Sequence, residues 1–223
     1  MDDPPGPLLA SGRSADIYDV GGGRVLRRRR VGTIGDHEVI AMRVARDAGV
    51  PAPRVFDVDG ADLLMERVVG RTMIDELGRR PWAAGRFGRE LARLHLALRM
   101  VAAPDGLRGD GPVLVHNDLH PGNVVVTADG PVVIDWESAE AGPPDRDAAQ
   151  MWLLGEIAEV DDLAPWLRPV VGAVRGRMLT SFLESAGRPT RETVAAVCAD
   201  RLMDRNTRVS EQDAIRSFAQ RHG

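Results

Sequence analysis

The apolar residues of this chain change their spacing near Gly70, and this change constrains the fold more than any other feature of the sequence. Before it, short apolar runs are separated by glycine-rich turns, a pattern typical of an antiparallel meander. After it, apolar residues recur at helical spacing over long segments. Strands in one part and helices in the other indicate an α+β protein with two lobes, joined near Arg67 to Gly70.

The first lobe is expected to contain three strands, one helix and two further strands. Asp36 is the expected N-cap of the helix, Ile40, Val44 and Ala48 form its apolar face, and Gly49 ends it. The predicted strands are residues 8–11, 15–20, 24–30, 54–57 and 62–67.

The second lobe is expected to be mainly helical, with one extended island at residues 113–136. Thr190 and Ser210 are the expected N-caps of the last two helices. The apolar residues that recur at helical spacing in the earlier helices are Phe87, Leu91, Leu94, Leu98, Leu163, Leu167, Val170, Val174, Met178 and Phe182.

Composition excludes several kinds of chemistry. All 29 basic residues are arginine, against 33 acidic residues, which gives a formal net charge of -4. Without lysine there is no lysine nucleophile and no lysine Schiff base. Cys198 is the only cysteine, so no intrachain disulfide forms, and no apolar run is long enough to span a membrane. We therefore expect a cytoplasmic protein.

Residues with possible chemistry are concentrated in the island. The segment 116–123 reads His-Asn-Asp-Leu-His-Pro-Gly-Asn, and two valine-rich runs around an Asp-Gly turn follow it, which predicts a hairpin. Asn123 and Asp135 lie equally far from Asp129, so a hairpin centred there would place them side by side. Their oxygens are ligands suited to Mg²⁺.

Asp118 lies shortly before Asn123, in a loop that contains proline and glycine. A carboxylate that orients a hydroxyl, next to two oxygen ligands for a metal ion, fits metal-assisted phosphoryl transfer. That reaction needs positioning and charge neutralisation more than covalent chemistry from the protein.

These two segments, 116–123 and 134–137, resemble the catalytic loop and metal-binding motif of the aminoglycoside phosphotransferase-like family, the small-molecule branch of the protein-kinase-like fold. The resemblance extends over nearly the whole chain. It implies a nucleotide-binding lobe at residues 1–67 and a catalytic and substrate lobe at 68–223. It further implies ATP, or GTP, and Mg²⁺ as cofactors, Asp118 as the catalytic base, and Asn123 and Asp135 as metal ligands.

The resemblance also assigns nucleotide contacts in the first lobe. Arg27 stands where the family has a phosphate-binding lysine, and Glu38 is its expected partner. Leu91 to His95 resembles a helical segment of the family, and Asp147 matches a structural aspartate. The nucleotide-binding residues implied are Gly12, Arg13 and Ser14 of the phosphate loop, Val25 and Arg27 of the third strand, Glu38, and Met65, Glu66 and Val68 of the hinge.

The acceptor is expected to be a small molecule with a hydroxyl group, such as an aminoglycoside-like antibiotic, a sugar or an amino alcohol. Asp147 follows Asp135 too closely for the long segment with which protein kinases dock peptides. The acidic residues Glu156, Glu159, Asp161 and Asp162 could attract a cationic acceptor or form a solvated helix end.

Other functions are open on the sequence alone. Because Arg27 replaces lysine, a nucleotide-binding pseudokinase or regulatory module is the main alternative. His116, Asp118 and His120 alternate and could ligate a transition metal. The arginine run at residues 27–30 could contact nucleic acid, but in a strand it splits onto two faces, and the net charge opposes polyanion binding. We expect neither a nucleic-acid nor a membrane partner.

Overall fold

The N-terminal part of the chain forms a five-stranded antiparallel sheet with one helix. A computed structural model describes residues 5–12, 14–157, 164, 166–204 and 207–223. The spatial order of the strands is β1-β2-β3-β5-β4. The strands are β1 (Leu8–Ser11), β2 (Ala15–Gly21), β3 (Arg24–Arg29), β4 (Val55–Asp59) and β5 (Asp62–Glu66), and helix α1 (Asp36–Asp47) connects β3 to β4. This is the predicted order of elements.

The predicted start and apolar face of α1 were wrong. Its N-cap is Gly35 rather than Asp36, and no side chain caps the helix. The buried face contains Glu38, Val39 and Met42, whereas Ala48 is exposed. The apolar pattern missed this face because a charged residue, Glu38, lies inside it and is neutralised there by an arginine of the sheet.

The C-terminal part is mainly helical, as predicted. Thr190 caps α6 by accepting a hydrogen bond from the Thr193 amide, but Ser210 lies within the first turn of α7 and is not its N-cap. The helices are α2 (Met73–Arg79), α3 (Ala84–Leu98), α4 (Arg146–Ile157), α5 (Arg168–Ala186), α6 (Arg191–Met203) and α7 (Val209–His222).

The core of this part lies around α3. Its predicted apolar residues are all buried, and they pack with α5 and with the strands that support the catalytic segment. In α5 only the last part of the predicted stripe is buried, at Met178 and Phe182; Val170 is exposed, and Leu163 lies outside the described residues. In the described ranges no helix is long and apolar enough to cross a membrane.

Five short strands support the catalytic segment. β6 (Arg71–Thr72), β8 (Val124–Thr127) and β9 (Gly130–Val133) form one antiparallel sheet, and β7 (Val113–Val115) pairs with β10 (Glu140–Gly142). Neither β6 nor β10 was predicted, because each has only two or three residues and no alternating pattern.

The hairpin β8–β9 exists, but its predicted register was wrong by one residue. Thr127 pairs with Gly130, so the turn holds two residues and is not centred on Asp129. Asn123 is therefore opposite Ile134, whose amide donates to the Asn123 carbonyl at 2.9 Å. Asp135 follows one position later.

Candidate active site

The segment from His116 to Asn117 is anchored by a buried carboxylate. Asp147 accepts hydrogen bonds from the amides of His116 (2.9 Å) and Asn117 (2.7 Å). Burial raises the pKa of Asp147 to about 6, and these two amides act against that rise. Asp147 thus has the structural role that the resemblance implied.

His116 is fully buried behind the loop. Its Nε2 donates to the carbonyl of Ile134 at 3.1 Å, and its Nδ1 accepts from the amide of Asp118 at 3.3 Å. Burial lowers its pKa to about 4, so the ring is neutral. Both nitrogens are occupied by backbone, so His116 positions Asp118 and has no nitrogen left for a metal ion.

Asp118 and Asn123 are in direct contact. The side-chain nitrogen of Asn123 donates to the Asp118 carbonyl at 3.0 Å and to its Oδ2 at 2.9 Å. Nε2 of His120 lies 3.5 Å from the other oxygen of Asp118, while its Nδ1 accepts from the Gly122 amide at 3.0 Å. Because Nδ1 accepts, Nε2 carries the ring proton and points it at the carboxylate.

Asp135 reaches the same place by a bend in the backbone. Its φ is 65°, and Asn117 with φ 60° is the only other non-glycine residue at positive φ in the described part of the chain. This conformation is costly for such residues and is concentrated at functional sites. A shift of one residue in a strand turns a side chain to the opposite face, and the bend offsets that shift.

The electrostatics of Asp135 connect it to both lobes. Its side chain is open to solvent on one side, yet the surrounding protein raises its pKa by desolvation. Arg27 acts against this rise and Asp118 adds to it, so the three side chains share one electrostatic site. The sequence placed all three in the site, and the structure brings them together.

The donor set fits Mg²⁺. Because the nitrogen of Asn123 is used by Asp118, its Oδ1 remains as an acceptor, and Asp135 adds a carboxylate. Hard oxygen donors of this kind, completed by water and phosphate oxygens, are typical of Mg²⁺ sites. No cluster of three or more His, Cys, Asp or Glu side chains suited to a metal ion occurs among the described residues, which argues against the transition-metal alternative.

Arg27 and Glu38 form an ion pair at the back of the cleft. The Glu38 side chain is only 1% exposed, and that of Arg27 is 11% exposed. Burial raises the pKa of Glu38, and Arg27 opposes that rise. Nε of Arg27 and Oε2 of Glu38 are buried without a hydrogen-bond partner in the described ranges, so the pair keeps unused polar capacity that faces a nucleotide phosphate would satisfy.

The arginine run alternates between two faces of β3, as predicted. Arg27 and Arg29 are on the face toward the cleft, and Arg28 and Arg30 are on the other. Their carboxylate partners are Glu38 for Arg27, Asp62 for Arg28 (2.6 Å), Glu137 for Arg29 (2.8 Å) and Asp16 for Arg30 (2.5 Å). The run is thus neutralised by the protein itself, which does not favour nucleic-acid binding.

Two contacts join the lobes next to this pair. Arg29 binds the Glu137 carboxylate, and Nε2 of His37 donates to the Glu137 carbonyl at 2.9 Å. Glu137 follows Asp135 by two positions, so the first lobe is held directly against the metal-binding segment.

The predicted phosphate loop is a tight turn between β1 and β2. The Gly12 amide donates to the Ala15 carbonyl at 2.9 Å, and the Ser14 carbonyl accepts from the Arg30 amide at 2.9 Å. Ser14 is exposed, and its hydroxyl makes no hydrogen bond to any described residue. Arg13 lies outside the described residues.

The predicted hinge follows β5. Val25 is buried and is opposite Met65 in the sheet. The Glu66 carboxylate is turned away, because it contacts Arg46 and the Arg54 amide. The Val68 amide donates to no backbone carbonyl in the described part of the chain, so it is available to a ligand.

One residue of the site was missed by the sequence analysis. Nε of Arg146 donates to Oδ1 of Asn117 at 2.7 Å, and its Nη2 binds Asp200 of α6 at 2.7 Å. A cavity of 200 Å³ lies beside these three residues, next to Asp118 in sequence. The available signal was the position of Arg146 immediately before Asp147. Glu156 ends near this region, whereas Glu159, Asp161 and Asp162 lie outside the described residues.

Comparisons with known proteins agree with this geometry. A family model described as "Phosphotransferase enzyme family" matches residues 97–177. No curated protein sequence matches the chain significantly.

Three solved structures show the fold. A thermostable mutant of aminoglycoside phosphotransferase APH(4)-Ia, in its apo form, is 19% identical with a TM-score of 0.63, and the alignment covers 96% of this chain and 94% of that one. Aminoglycoside phosphotransferase APH(2'')-Ib, bound to ADP, is 14% identical with a TM-score of 0.59 and coverage of 93% and 90%. A choline/ethanolamine kinase family protein from Mesorhizobium loti is 16% identical with a TM-score of 0.56 and coverage of 97% and 87%.

The predicted α+β, protein-kinase-like fold is therefore confirmed: an antiparallel sheet forms the N-terminal part and helices dominate the C-terminal part. Together with the family match, the fold supports a phosphotransferase enzyme.

Proposed function

We propose that this protein transfers the γ-phosphoryl group of ATP to a hydroxyl group of a small molecule, with Mg²⁺ as cofactor and Asp118 as the base. The observation that carries the proposal is the contact between Asn123 and Asp118, with Asp135 in the same electrostatic site. It joins a carboxylate for the acceptor hydroxyl to two oxygen ligands for the metal ion.

When bound, Mg²⁺ would neutralise the phosphate oxygens, and ATP would supply the transferred group. Asp118 orients the acceptor hydroxyl and takes its proton on Oδ1 or Oδ2. Asn123 fixes the carboxylate by donating to Oδ2. His120 presents its Nε2 proton to Oδ1 from the other side, so the carboxylate is held in one orientation.

The first lobe, residues 1–67, provides the nucleotide contacts in this proposal. Arg27 binds the phosphates with the polar capacity that Glu38 leaves unused, and Glu38 fixes its guanidinium. The backbone of Gly12 to Ser14 covers the phosphates, the Val68 amide and Glu66 carbonyl read the base, and Val25 and Met65 contact its face.

The second lobe, residues 68–223, binds the acceptor. The cavity beside Asn117 is bounded by α4 and α6, and two ion pairs line it: Arg146 with Asp200, and Arg201 with Asp204. Its size suits part of a sugar, an amino alcohol or an aminoglycoside ring. A structural neighbour was crystallised with AMP-PNP and hygromycin B, and another with gentamicin, which supports a nucleotide and a small polar acceptor here.

The test is release of ADP over a panel of hydroxylated amines, sugars, nucleosides and aminoglycosides. Asp118→Ala should abolish transfer and leave ATP binding nearly unchanged. Asp129→Ala, in the exposed turn of the same hairpin, is the matched control and should retain full turnover. Undiminished transfer by the Asp118 variant would refute the assigned base. ATP binding without transfer to any acceptor would instead favour the pseudokinase alternative.

A further inference from the structure

A second cavity lies behind the catalytic segment, on the opposite side from the nucleotide cleft. Its volume is 330 Å³, at the small end of the range for small-molecule sites, about 300–1,000 Å³. Its walls come from α3, β7, the start of α4 and the connection between α5 and α6. None of the residues assigned above to ATP or Mg²⁺ lines it.

The deepest polar group of this cavity is His95. Its side chain is 5% exposed and meets the Phe182 ring edge-on at 4.8 Å. Burial lowers its pKa to about 3, with the Leu119 backbone acting in the opposite direction, so the imidazole is neutral. Neither ring nitrogen makes a hydrogen bond of normal geometry to a described residue.

A buried imidazole in this state has a cost that calls for a ligand. Leaving a buried donor or acceptor unsatisfied costs about 1–3 kcal/mol. The neutral ring offers one N–H donor and one nitrogen acceptor, and the Leu119 backbone can meet one of them at most. A hydroxyl group, which both donates and accepts, matches what remains.

The charged groups of the cavity leave a positive balance for a ligand. Asp147 is occupied by the His116 and Asn117 amides, and Asp145 accepts from the Thr190 amide and the Thr193 hydroxyl. Arg99 and Arg188 are exposed at the edge, and within the described ranges neither forms an ion pair. Arg188 only covers the Trp152 ring, at 5.3 Å.

Between the arginines and His95 the walls are mostly apolar. Leu96, Leu114, Pro144, Ala186 and Pro189 provide them. The cavity therefore combines a cationic edge, an apolar middle and a neutral polar end. We propose that it binds a small organic anion whose apolar body carries a hydroxyl group, with the anion at Arg99 and Arg188 and the hydroxyl at His95.

Such an occupant would contact Asp147, which holds the amides next to Asp118. The cavity is thus placed to report ligand binding to the catalytic segment, although binding itself does not depend on the proposed function.

Isothermal titration calorimetry with three matched probes tests the proposal. 4-Hydroxybenzoate carries both groups, benzoate lacks the hydroxyl, and 4-hydroxybenzamide lacks the charge. We expect saturable binding of 4-hydroxybenzoate, about fivefold weaker binding of benzoate for one neutral hydrogen bond, and about tenfold or weaker binding of the amide. Glycerol 3-phosphate is a fourth probe that distinguishes a phosphate from a carboxylate as the preferred anion.

Variants locate the site. Arg99→Gln and Arg188→Gln should each weaken 4-hydroxybenzoate about tenfold. Arg93→Gln, an exposed change on the same helix, should leave the affinity unchanged. His95→Phe keeps an aromatic ring against Phe182 and should make 4-hydroxybenzoate bind no better than benzoate.

Three outcomes would overturn the proposal: no saturable binding of either 4-hydroxybenzoate or glycerol 3-phosphate, equal affinity in the Arg99 and Arg188 variants, or displacement of the probe by ATP into a simple competition. The arginine variants are exposed, so they keep the test decisive even if His95→Phe does not fold. Failure of ADP release with every acceptor would affect only the proposed function.

Discussion

The side-chain nitrogen of Asn123 donates to both the carbonyl and the carboxylate of Asp118, at 3.0 and 2.9 Å. One amide thus fixes the expected base and leaves its own oxygen for the expected metal ion. The two functions can be separated by substitution, because aspartate keeps the oxygen and loses the donor.

We expect Asn123→Asp to lower kcat by about 10²-fold, because the new carboxylate repels Asp118 and no longer orients it. Its apparent affinity for Mg²⁺ should be retained, since an oxygen ligand remains. Asn123→Ala should lower kcat and also weaken Mg²⁺ activation by about 10–100-fold. Initial rates over a Mg²⁺ titration measure both effects, and an Asn123→Asp enzyme with normal kcat would contradict the orienting role.

The pair of Arg27 and Glu38 predicts a difference between two substitutions. Arg27→Met leaves the buried Glu38 carboxylate without its cation, and we expect the free energy of unfolding to fall by about 3–5 kcal/mol. Arg27→Lys keeps the charge and should retain both stability and activity. Urea denaturation gives the first quantity and ADP release the second. If Arg27→Lys is stable but its kcat collapses, the planar shape of the guanidinium matters and not only its charge.

Three buried groups predict how stability depends on pH. The pKa values of His95 and His116 are lowered from 6.5 to about 3 and about 4, so their contribution is present above 6.5 and is lost as the pH falls. Asp147 acts oppositely: its pKa is raised to about 6, and its contribution is lost as the pH rises from 3.8 through that value.

Between about pH 4 and 6 the unfolded chain therefore binds about one proton more than the folded chain from these groups, and the free energy of unfolding should fall by about 1.4 kcal/mol per pH unit of acidification. His95→Phe removes one histidine and should flatten this slope. Urea denaturation at several pH values provides the measurement, and an equal slope in both proteins would contradict the assigned cause.

Two helix glycines make a matched pair. A methyl group added at Gly88 of α3 would lie 2.2 Å from the Met178 carbonyl oxygen of α5, whereas one added at Gly176 of α5 meets nothing within 4 Å. Gly88→Ala should therefore destabilise the protein by about 1–3 kcal/mol through overpacking. Gly176→Ala should stabilise it by up to about 1 kcal/mol, because alanine is the better helix former. Thermal or urea unfolding of both variants decides, and a neutral Gly88→Ala would show that the helices separate easily.

Residues whose role depends on local pattern were predictable from the sequence. The strands of the first lobe, the stripe from Phe87 to Leu98 and the Thr190 cap follow from alternation, helical period and capping chemistry, and the structure has them. The pairing of Arg27 with Glu38 followed from strand alternation together with the family resemblance.

What depends on backbone detail or distant contacts was not predictable. The hairpin register failed because Gly130 pairs with Thr127, and the positive φ of Asp135, which offsets that shift, has no sequence signature in a non-glycine residue. The buried face of α1 failed because Glu38 counts as polar until its partner is known. Arg146 was missed because its contacts, Asn117 and Asp200, are far apart in the chain.

The guanidinium of Arg27 also determines how this protein can be studied chemically. Acyl-phosphate nucleotide probes label kinases by acylating a nucleophilic amine beside the phosphates, and a guanidinium stays protonated and does not react in that way. This protein would go undetected in a profiling experiment of that kind, however active it is. Dicarbonyl reagents that modify arginine suit it better, and the burial of Arg27 against Glu38 makes protection by ATP the informative readout.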